Sequence, residues 1–298
     1  MKTNKPLVSI CIPAYNSADY LGDAIESVIA QSFKDFELII VDNNSSDKTA
    51  LIISKYSDPR ISYVKNDQTL SMAENWNKCI SLASGKYVGL LHADDSYLPD
   101  FIETELKIFK SDPKIGIVYS SINFIDGKGA ITSVYLSDNN GFIKDGAEQF
   151  KRHILGNYIY CPSIIVKKEC YEKVGVFSKE LSYLLDWDMW LKIELAHFKV
   201  AYTPRILANY RMHGKNVSSK FVRSFFELKE IFQIMKDNLS SKNFNCLYLK
   251  DQAQKIKKKT LSRFRRYVVR IAFKYLVARD FFNFKNALKL LLSCRFGA

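Results

Sequence analysis

The sequence predicts an α/β fold, a mostly parallel sheet with helices on both faces, followed by a basic helical appendage. Three observations predict it. Through residue 203, short apolar runs alternate with stretches of helical apolar spacing. One of those runs, within YVGLLHADDSYLPD at 87–100, leads into adjacent carboxylates, Asp94 and Asp95, with Pro99 opening an amphipathic run behind them. In an open α/β sheet, ligands gather at such strand ends. The third observation is the placement of charge. The formal net charge is +13. Residues 241–298 hold fifteen Lys or Arg and two acids, whereas residues 1–240 are neutral.

Each element has its own signal. Leu7–Ile12 is an apolar run closed by Pro13, a buried first strand, and 15–17 is a loop. Asp19–Ala30 places Leu21, Ala24, Ile25, Val28 and Ile29 at helical spacing. Phe36–Val41 is the second strand, ending in the polar loop Asp42–Asp47, and 48–56 reads as helix. Ile61–Lys65 is a strand, and Met72–Leu82 is a helix that stops at Ser84-Gly85. After the Asp94-Asp95 strand come a helix at Phe101–Phe109 and a strand at Ile115–Tyr119. The pattern blurs over 123–146, where Asp126-Gly127 and Asn139-Asn140-Gly141 mark turns. Ser163–Val166 and Lys199–Thr203 read as strands, Leu185–Leu195 as helix, and Asn209–Ser218 as a polar loop. Beyond Phe221 the chain reads as helix with no proline.

With 298 residues, 47% apolar and 25% charged, the chain is long enough for a sizeable core and ordinary for a soluble globular protein. Its six cysteines are scattered, with neither zinc nor disulfide spacing, and Cys11 and Cys79 fall in core patterns. No signal peptide precedes the first strand and no apolar run suffices to span a bilayer, so a reducing cytoplasm is expected. No G-x-G-x-x-G or Walker-type Gly-Lys-Ser/Thr follows the first strand. Any nucleotide held here would have to be held by carboxylates, a metal and strand-end loops.

Two adjacent carboxylates repel each other and lose hydration, so a cation should compensate them. A hard divalent ion, Mn or Mg, carrying a phosphorylated ligand is one reading; the other makes Asp94 a helix cap and leaves Asp95 solvated. Asp42 is either an acceptor for a base or ribose, or a turn residue. Asp186 and Asp188 sit about 200° apart on a helix, so only one can face a site comfortably. Trp76, Trp187 and Trp190 read as core aromatics, with Trp187 the only candidate for acceptor contact. In the tail, Phe264, Tyr267, Val268, Ile271, Tyr275 and Leu276 fall at helical spacing between basic residues. That suits an anionic membrane surface, or a helix packed on the catalytic domain with a solvated basic face. Without a nucleic-acid motif, nucleic acid is not the expected partner.

Four stretches closely resemble family 2 glycosyltransferases: VSICIPAYNSADYLGDAIESVIAQSFKDFELIIVDNNSSDKT, SGKYVGLLHADDSYLPD, VGVFSKELSYLLDWDMWLKI and YRMHGKNVS. Their order and spacing match over residues 7–218. The resemblance implies a Rossmann-like GT-A fold, a nucleotide-diphospho-sugar donor, a divalent metal and inversion at the anomeric carbon. It implies that Asp42 binds the base, usually uracil, that Asp94 lies near the ribose, and that Asp95 is the metal ligand. Pro13, Ala14 and Tyr15 match the loop along the nucleotide. Asp186 matches the general base, and His213 a histidine that approaches the diphosphate or the metal, with Arg211 placed to assist. His92 departs from the pattern, since many members carry Asp there, and this bears on ribose contact and metal preference.

The expected organisation is a catalytic domain over 1–218 and a helical basic region over 219–298. The expected activity is metal-dependent inverting transfer from a nucleotide-sugar, UDP-linked by preference, to a hydroxyl of a glycan, lipid-linked by preference, in cell-surface polysaccharide assembly. The protein would sit peripherally on the inner face of the cell membrane. The alternative is a non-catalytic membrane-docking or scaffold protein on a degenerate transferase fold, with His92 as a sign of decay. A nucleotidyltransferase is disfavoured, because its Gly-rich basic loop is absent.

Overall fold

A computed structural model describes residues 5–216 and 221–294. The chain forms two compact units. The first comprises Met1–Asp145, Tyr158–Lys179 and Phe198–His213; the second comprises Gly146–Asn157, Glu180–His197 and Gly214–Ala298.

The first unit is built on a ten-stranded sheet. Its strands are β1 Val8–Ala14, β2 Phe36–Asp42, β3 Ile61–Lys65, β4 Tyr87–Leu90, β5 Ser96–Tyr97, β6 Ile115–Ile125, β7 Ile131–Tyr135, β8 Phe142–Asp145, β9 Ile164–Lys167 and β10 Lys199–Arg211. The order is β3-β2-β1-β4-β9-β6-β10-β5, with β7 on β6 and β8 on β10. Strands β3, β2, β1 and β4 run parallel, as do β6 and β10, while β9 enters antiparallel between β4 and β6. The order reverses direction at β1, with β2 on one side and β4 on the other, which makes the C-terminal ends of β1 and β4 a topological switch point.

Apolar residues on both faces explain the central strands. Val8, Ile10, Cys11 and Ile12 of β1 are fully buried, as are Leu38, Ile40 and Val41 of β2. Each such aliphatic side chain contributes about 1.5–3 kcal/mol by leaving water. Helices α1 Leu21–Ile29, α2 Thr49–Ile53, α3 Met72–Leu82 and α4 Phe101–Phe109 connect the early strands. Ser71 and Glu74 form a capping box that starts α3. After α3 the chain passes Gly85, where a Cβ would stand 2.7 Å from the Ser9 backbone nitrogen. Gln31, just past α1, bonds Leu98 O and the Ile102 amide, which ties α1 to the loop behind Asp95.

Strands β6 and β10 are longer than their apolar runs suggest. Asn209, expected to open a polar loop, pairs with Asn123, and Tyr210 and Arg211 continue the ladder to Ile125. The polar side chains satisfy one another: Asn123 Nδ2 donates to Asn209 Oδ1 at 3.0 Å, and Asn209 Nδ2 to Ser96 Oγ at 3.0 Å. Polarity here marks a cross-strand network rather than solvent. Residues 217 and 218 of the expected loop, and the expected boundary after 218, lie outside the described residues. Helix α6, Lys168–Val174, completes this unit.

The second unit is helical among its described residues: α5 Gly146–His153, α7 Leu185–Glu194, α8 Phe225–Ser240, α9 Lys242–Leu247, α10 Lys250–Val277 and α11 Phe281–Ser293. Phe264, Val268 and Ile271 of α10 turn inward and are 1%, 0% and 2% exposed, with Phe264 stacked on Phe232. The apolar seam read from the tail sequence is therefore largely a packing seam. A different face of α10 and the start of α11 stay open, through Val269, Phe273, Val277, Phe281 and Phe282. Among the described residues, no helix is long and apolar enough to cross a membrane.

Candidate active site

The first constellation gathers at the ends of β1, β2 and β4. Ala14 is opposite Asp42 in register, so the two strands deliver their loops side by side. Those loops are laced together. Asn16 and Asn44 both adopt positive φ, which Asn tolerates better than most residues. Asn16 N donates to Ser45 Oγ and Asn16 Oδ1 accepts from Ser46 N. Asp47 accepts from Ala18 N and Thr49 N, and Ser17 N donates to Thr49 Oγ1. Pro13 is half-buried, Ala14 buried, and Tyr15 exposed to 54%.

Asp42 is fully buried. Its Oδ1 accepts from Ser45 N at 2.9 Å and its Oδ2 from the Tyr63 hydroxyl at 3.0 Å. Burial and the Asp42 carboxylate push the Tyr63 phenol up to about 12, so it stays a donor. Tyr63 itself is 40% exposed. The tyrosine hydroxyl thus covers one oxygen of the carboxylate.

The Asp94–Asp95 turn follows β4. Asp95 N bonds His92 O, and Asp95 Oδ1 accepts from Arg211 N on β10 at 2.8 Å. The second oxygen, Oδ2, is buried without a hydrogen-bond partner and stands 3.4 Å from His92 Nδ1. Burial pushes the Asp95 carboxyl up to about 6; the His92 ring opposes this and Asp94 adds to it. His92 Nε2 is likewise buried without a partner. Each orphaned polar atom of this kind costs about 1–3 kcal/mol. One donor atom from each of His92, Asp94 and Asp95 falls within 4.8 Å of the others. That span is close to what a single ion with contacts of about 2.1 Å can bridge. Two carboxylates and an imidazole, with Asp95 Oδ2 buried and lacking a hydrogen bond, fit a divalent cation, and the nitrogen ligand favours a transition ion over Mg.

Arg211 is 3% exposed, and its guanidinium is turned to protein: Nε to Asp94 O, a second nitrogen to Asp126 O and a third to Asp23 Oδ2 at 2.7 Å. It braces the Asp94–Asp95 loop. His213 Nε2 lies 3.0 Å from Asp94 Oδ2, with the Tyr20 ring 4.7 Å away. So of the residues read from sequence, Asp94, Asp95, Arg211 and His213 come together. His92, which the sequence shows only as a departure from a pattern, joins them. Trp76 packs on His92 at 5.3 Å between ring centroids and is a core residue there.

The second constellation lies within the helical unit. Asp186, in the first turn of α7, is partly exposed; Oδ1 accepts from Trp187 N and Oδ2 from Asn157 Nδ2 at 3.2 Å. Asp188 is 4% exposed and is held by Asn238 Nδ2 at 3.0 Å and Lys192 Nζ at 2.6 Å. Of the two carboxylates Asp186 is the more open to solvent. Trp187 and Trp190 are buried core residues, at 2% and 0% exposure. The loop ahead of α7 is fixed by Glu230 of α8, whose carboxylate accepts from the amides of Ser182, Tyr183 and Leu184. No sequence motif announces Asn157 or Glu230; only the fold brings them here.

Comparison with known proteins agrees with this geometry. The glycosyl transferase family 2 signature matches residues 9–175. A Methanocaldococcus jannaschii protein named as an uncharacterized glycosyltransferase is 31% identical over 235 residues, covering 76% of this chain and 79% of that one. Escherichia coli chondroitin synthase is 29% identical over 239 residues, 79% of this chain but 33% of the synthase. Among solved structures, Staphylococcus aureus TarS residues 1–349 with UDP-GlcNAc superposes with a TM-score of 0.67 at 15% identity, covering 95% of this chain and 90% of that one. A Pyrobaculum calidifontis mannosyltransferase with GDP-Man and Mn2+ gives 0.61 at 15% identity, covering 98% and 88%. At those identities the likeness is one of fold. The switch-point sheet, the family signature and the close relatives lead to one conclusion: the chain belongs to the family 2 glycosyltransferases, has the GT-A fold, and is an enzyme of glycosyl transfer.

Proposed function

We propose that the chain moves a sugar, with inversion, from a nucleotide-diphospho-sugar to a hydroxyl of a glycan acceptor, using a divalent cation held by Asp95, Asp94 and His92. UDP-sugars are the preferred donor class. The observation that carries the reading is the cluster at the end of β4: three side chains able to ligate, each offering one atom within 4.8 Å of the others, with Asp95 Oδ2 buried and without a hydrogen-bond partner. A cation there would neutralise charge on the leaving diphosphate. Pro13, Ala14 and Tyr15 lie along the nucleotide. Asp42 meets the base once the exposed Tyr63 side chain turns aside. Arg211 holds the metal loop in place, and His213 positions Asp94 or approaches the diphosphate. Asp186 takes the proton of the acceptor hydroxyl, a step that needs an ionised carboxylate within hydrogen-bond reach. Its partial exposure, against the enclosure of Asp188, supports that choice.

In the same reading the helical tail rests on an anionic membrane surface, bringing the enzyme to a lipid-linked acceptor in cell-surface polysaccharide assembly. Support comes from the open apolar residues Val269, Phe273, Val277, Phe281 and Phe282, flanked by exposed Arg270, Lys274, Arg279 and Lys285. Sedimentation with phosphatidylglycerol vesicles but not phosphatidylcholine vesicles, lost in Phe273→Ser/Phe281→Ser, is the expected result.

The central test is a thermal-shift screen of nucleotide-sugars with and without Mn2+ or Mg2+. A donor at a hundred times its Kd stabilises by about 2.7 kcal/mol. Metal-dependent stabilisation by one donor, absent in Asp95→Ala, is expected. No stabilisation of folded wild-type protein by any donor would refute the reading.

A further inference from the structure

The carboxylate of Asp186 stands at the end of a chain of polar contacts inside the helical unit. Asn157 Nδ2 donates to Asp186 Oδ2, and Asn157 Oδ1 faces His153 Nε2 at 3.0 Å. His153 Nδ1 faces Glu194 Oε1 at 2.8 Å. The proton positions follow from the partners. His153 Nε2 meets a carbonyl oxygen, so it carries a hydrogen. Reversing the Asn157 amide would set its oxygen against the Asp186 carboxylate, so the amide has one workable orientation. A further proton lies between Nδ1 and Glu194. His153 and Glu194 together are therefore neutral overall, as their 0% exposure demands.

Such a pair is an odd choice for stability alone. Two buried polar groups are seldom better than apolar ones of the same volume, and here Glu194 Oε2 has no hydrogen-bond partner. Burial raises the Glu194 carboxyl above its ordinary range, and His153 opposes the shift. The pair does link the end of α5 to α7, but the backbone of His153 is tied there already, by Trp187 Nε1 donating to His153 O at 2.9 Å. What an apolar pair could not do is hold the Asn157 amide by its oxygen and so present its N–H groups to Asp186.

We propose that Glu194, His153 and Asn157 are positioning residues for Asp186. Glu194 aligns the imidazole, the imidazole fixes the amide, and the amide holds Asp186 in one rotamer. The donated N–H fixes the direction in which the carboxylate faces an incoming hydroxyl. This rests on the reading of Asp186 as the base.

The test uses the full chain and needs no acceptor. Release of nucleoside diphosphate to water is measured from UDP-GlcNAc, UDP-glucose, UDP-galactose and GDP-mannose with Mn2+, and kcat and KM are taken with the donor that wild type uses. Asn157 is exposed, so Asn157→Ala should keep its melting curve. Its kcat should fall by about tenfold or more, as when outer partners of a working ligand are removed. Its donor KM should stay within about twofold, because donor binding is untouched. His153→Leu should lose as much, and His153→Gln, which keeps an N–H toward Asn157 Oδ1, should regain most of it. Asn157→Ala added to Asp186→Asn should cost nothing more, since the two act through one carboxylate. Unchanged kcat in folded Asn157→Ala, with Asp186→Asn inactive, overturns the positioning role and leaves the base reading standing. Normal turnover by Asp186→Asn overturns the base reading and the positioning role with it. Failure of wild type to release nucleotide from any of the four donors overturns both. If His153→Leu does not fold, the Asn157 and Asp186 variants still decide.

Discussion

Glu230 offers the sharpest test of how the loop before α7 is held. Its carboxylate accepts the amides of Ser182 at 2.5 Å, Tyr183 at 3.1 Å and Leu184 at 2.9 Å, at 5% exposure. Hydrogen bonds to a charged acceptor are worth about 1.5–3 kcal/mol each. Their sum overstates the loss on truncation, because Ser182 is exposed and Tyr183 and Leu184 are half-buried, so water can reach the freed amides. A net cost of about 3 kcal/mol for Glu230→Ala follows from one full bond plus partial loss of two. In a unit of about 115 residues that lowers Tm by about 9–18 °C. Glu230→Gln should fall about halfway, since its carbonyl oxygen still accepts while its NH2 faces a donor. Urea unfolding followed by tryptophan fluorescence reads the right region, because Trp187 and Trp190 sit on α7 itself. A cost below about 1 kcal/mol for Glu230→Ala would mean that the three bonds do not hold the loop.

Other perturbations follow from groups whose charge state is set by burial or pairing. Glu105 of α4 is fully buried, neither oxygen has a hydrogen-bond partner, and burial raises its carboxyl well above 4.5. A folded state that keeps this proton loses stability as pH rises above the unfolded value, so Glu105→Met should stabilise, by more at pH 8 than at pH 4, in urea titrations at both. Asp58 is the opposite case: its hydrogen bonds to Arg60 hold its carboxyl down to about 2. That contribution is complete above the unfolded value of 3.8 and fades as pH falls toward 2, so Asp58→Asn should cost about 1 kcal/mol at pH 7 and almost nothing at pH 2. Gly85→Ala should cost about 1–3 kcal/mol by thermal melting, because the new Cβ meets the backbone of β1 at 2.7 Å and not a side chain that could move.

Much of the sheet is legible in the sequence, for a physical reason. β1, β2 and β4 are covered on both faces, so apart from Glu37 and Asp42 of β2 their positions are apolar or small and the runs are visible without an alignment. The same rule hides the far ends of β6 and β10. Asn123, Asn209 and Ser96 look like loop residues because the partners that satisfy them are distant in sequence. In the tail the helical spacing is real but its direction is not legible. Phe264, Val268 and Ile271 repeat as a membrane-facing stripe would, yet neighbouring helices cover them. The open stripe of Val269, Phe273 and Val277 has the same period, offset around the helix. Periodicity locates an apolar face and says nothing about what lies against it.

The carboxylates carry the same lesson into the site. Asp94, Asp95, Asp186 and Asp188 look alike in sequence, as two pairs of closely spaced acids at the start of a turn or helix. What separates them is how much of each carboxylate is already spent. Asp188 is closed by Asn238, 50 residues away, and by Lys192 on its own helix. Asp95 is half-spent on the Arg211 amide, 116 residues away, and keeps one buried oxygen without a hydrogen-bond partner. A carboxylate whose lone pairs are all engaged is structure; one held rigidly by a single oxygen has the other for a ligand. By that criterion Asp95 is the carboxylate of the first constellation with an oxygen to offer the proposed cation. Asp186 differs from both: its two oxygens are engaged by Trp187 N and Asn157, yet it stays partly exposed, which suits the proposed role of taking a proton from an incoming molecule.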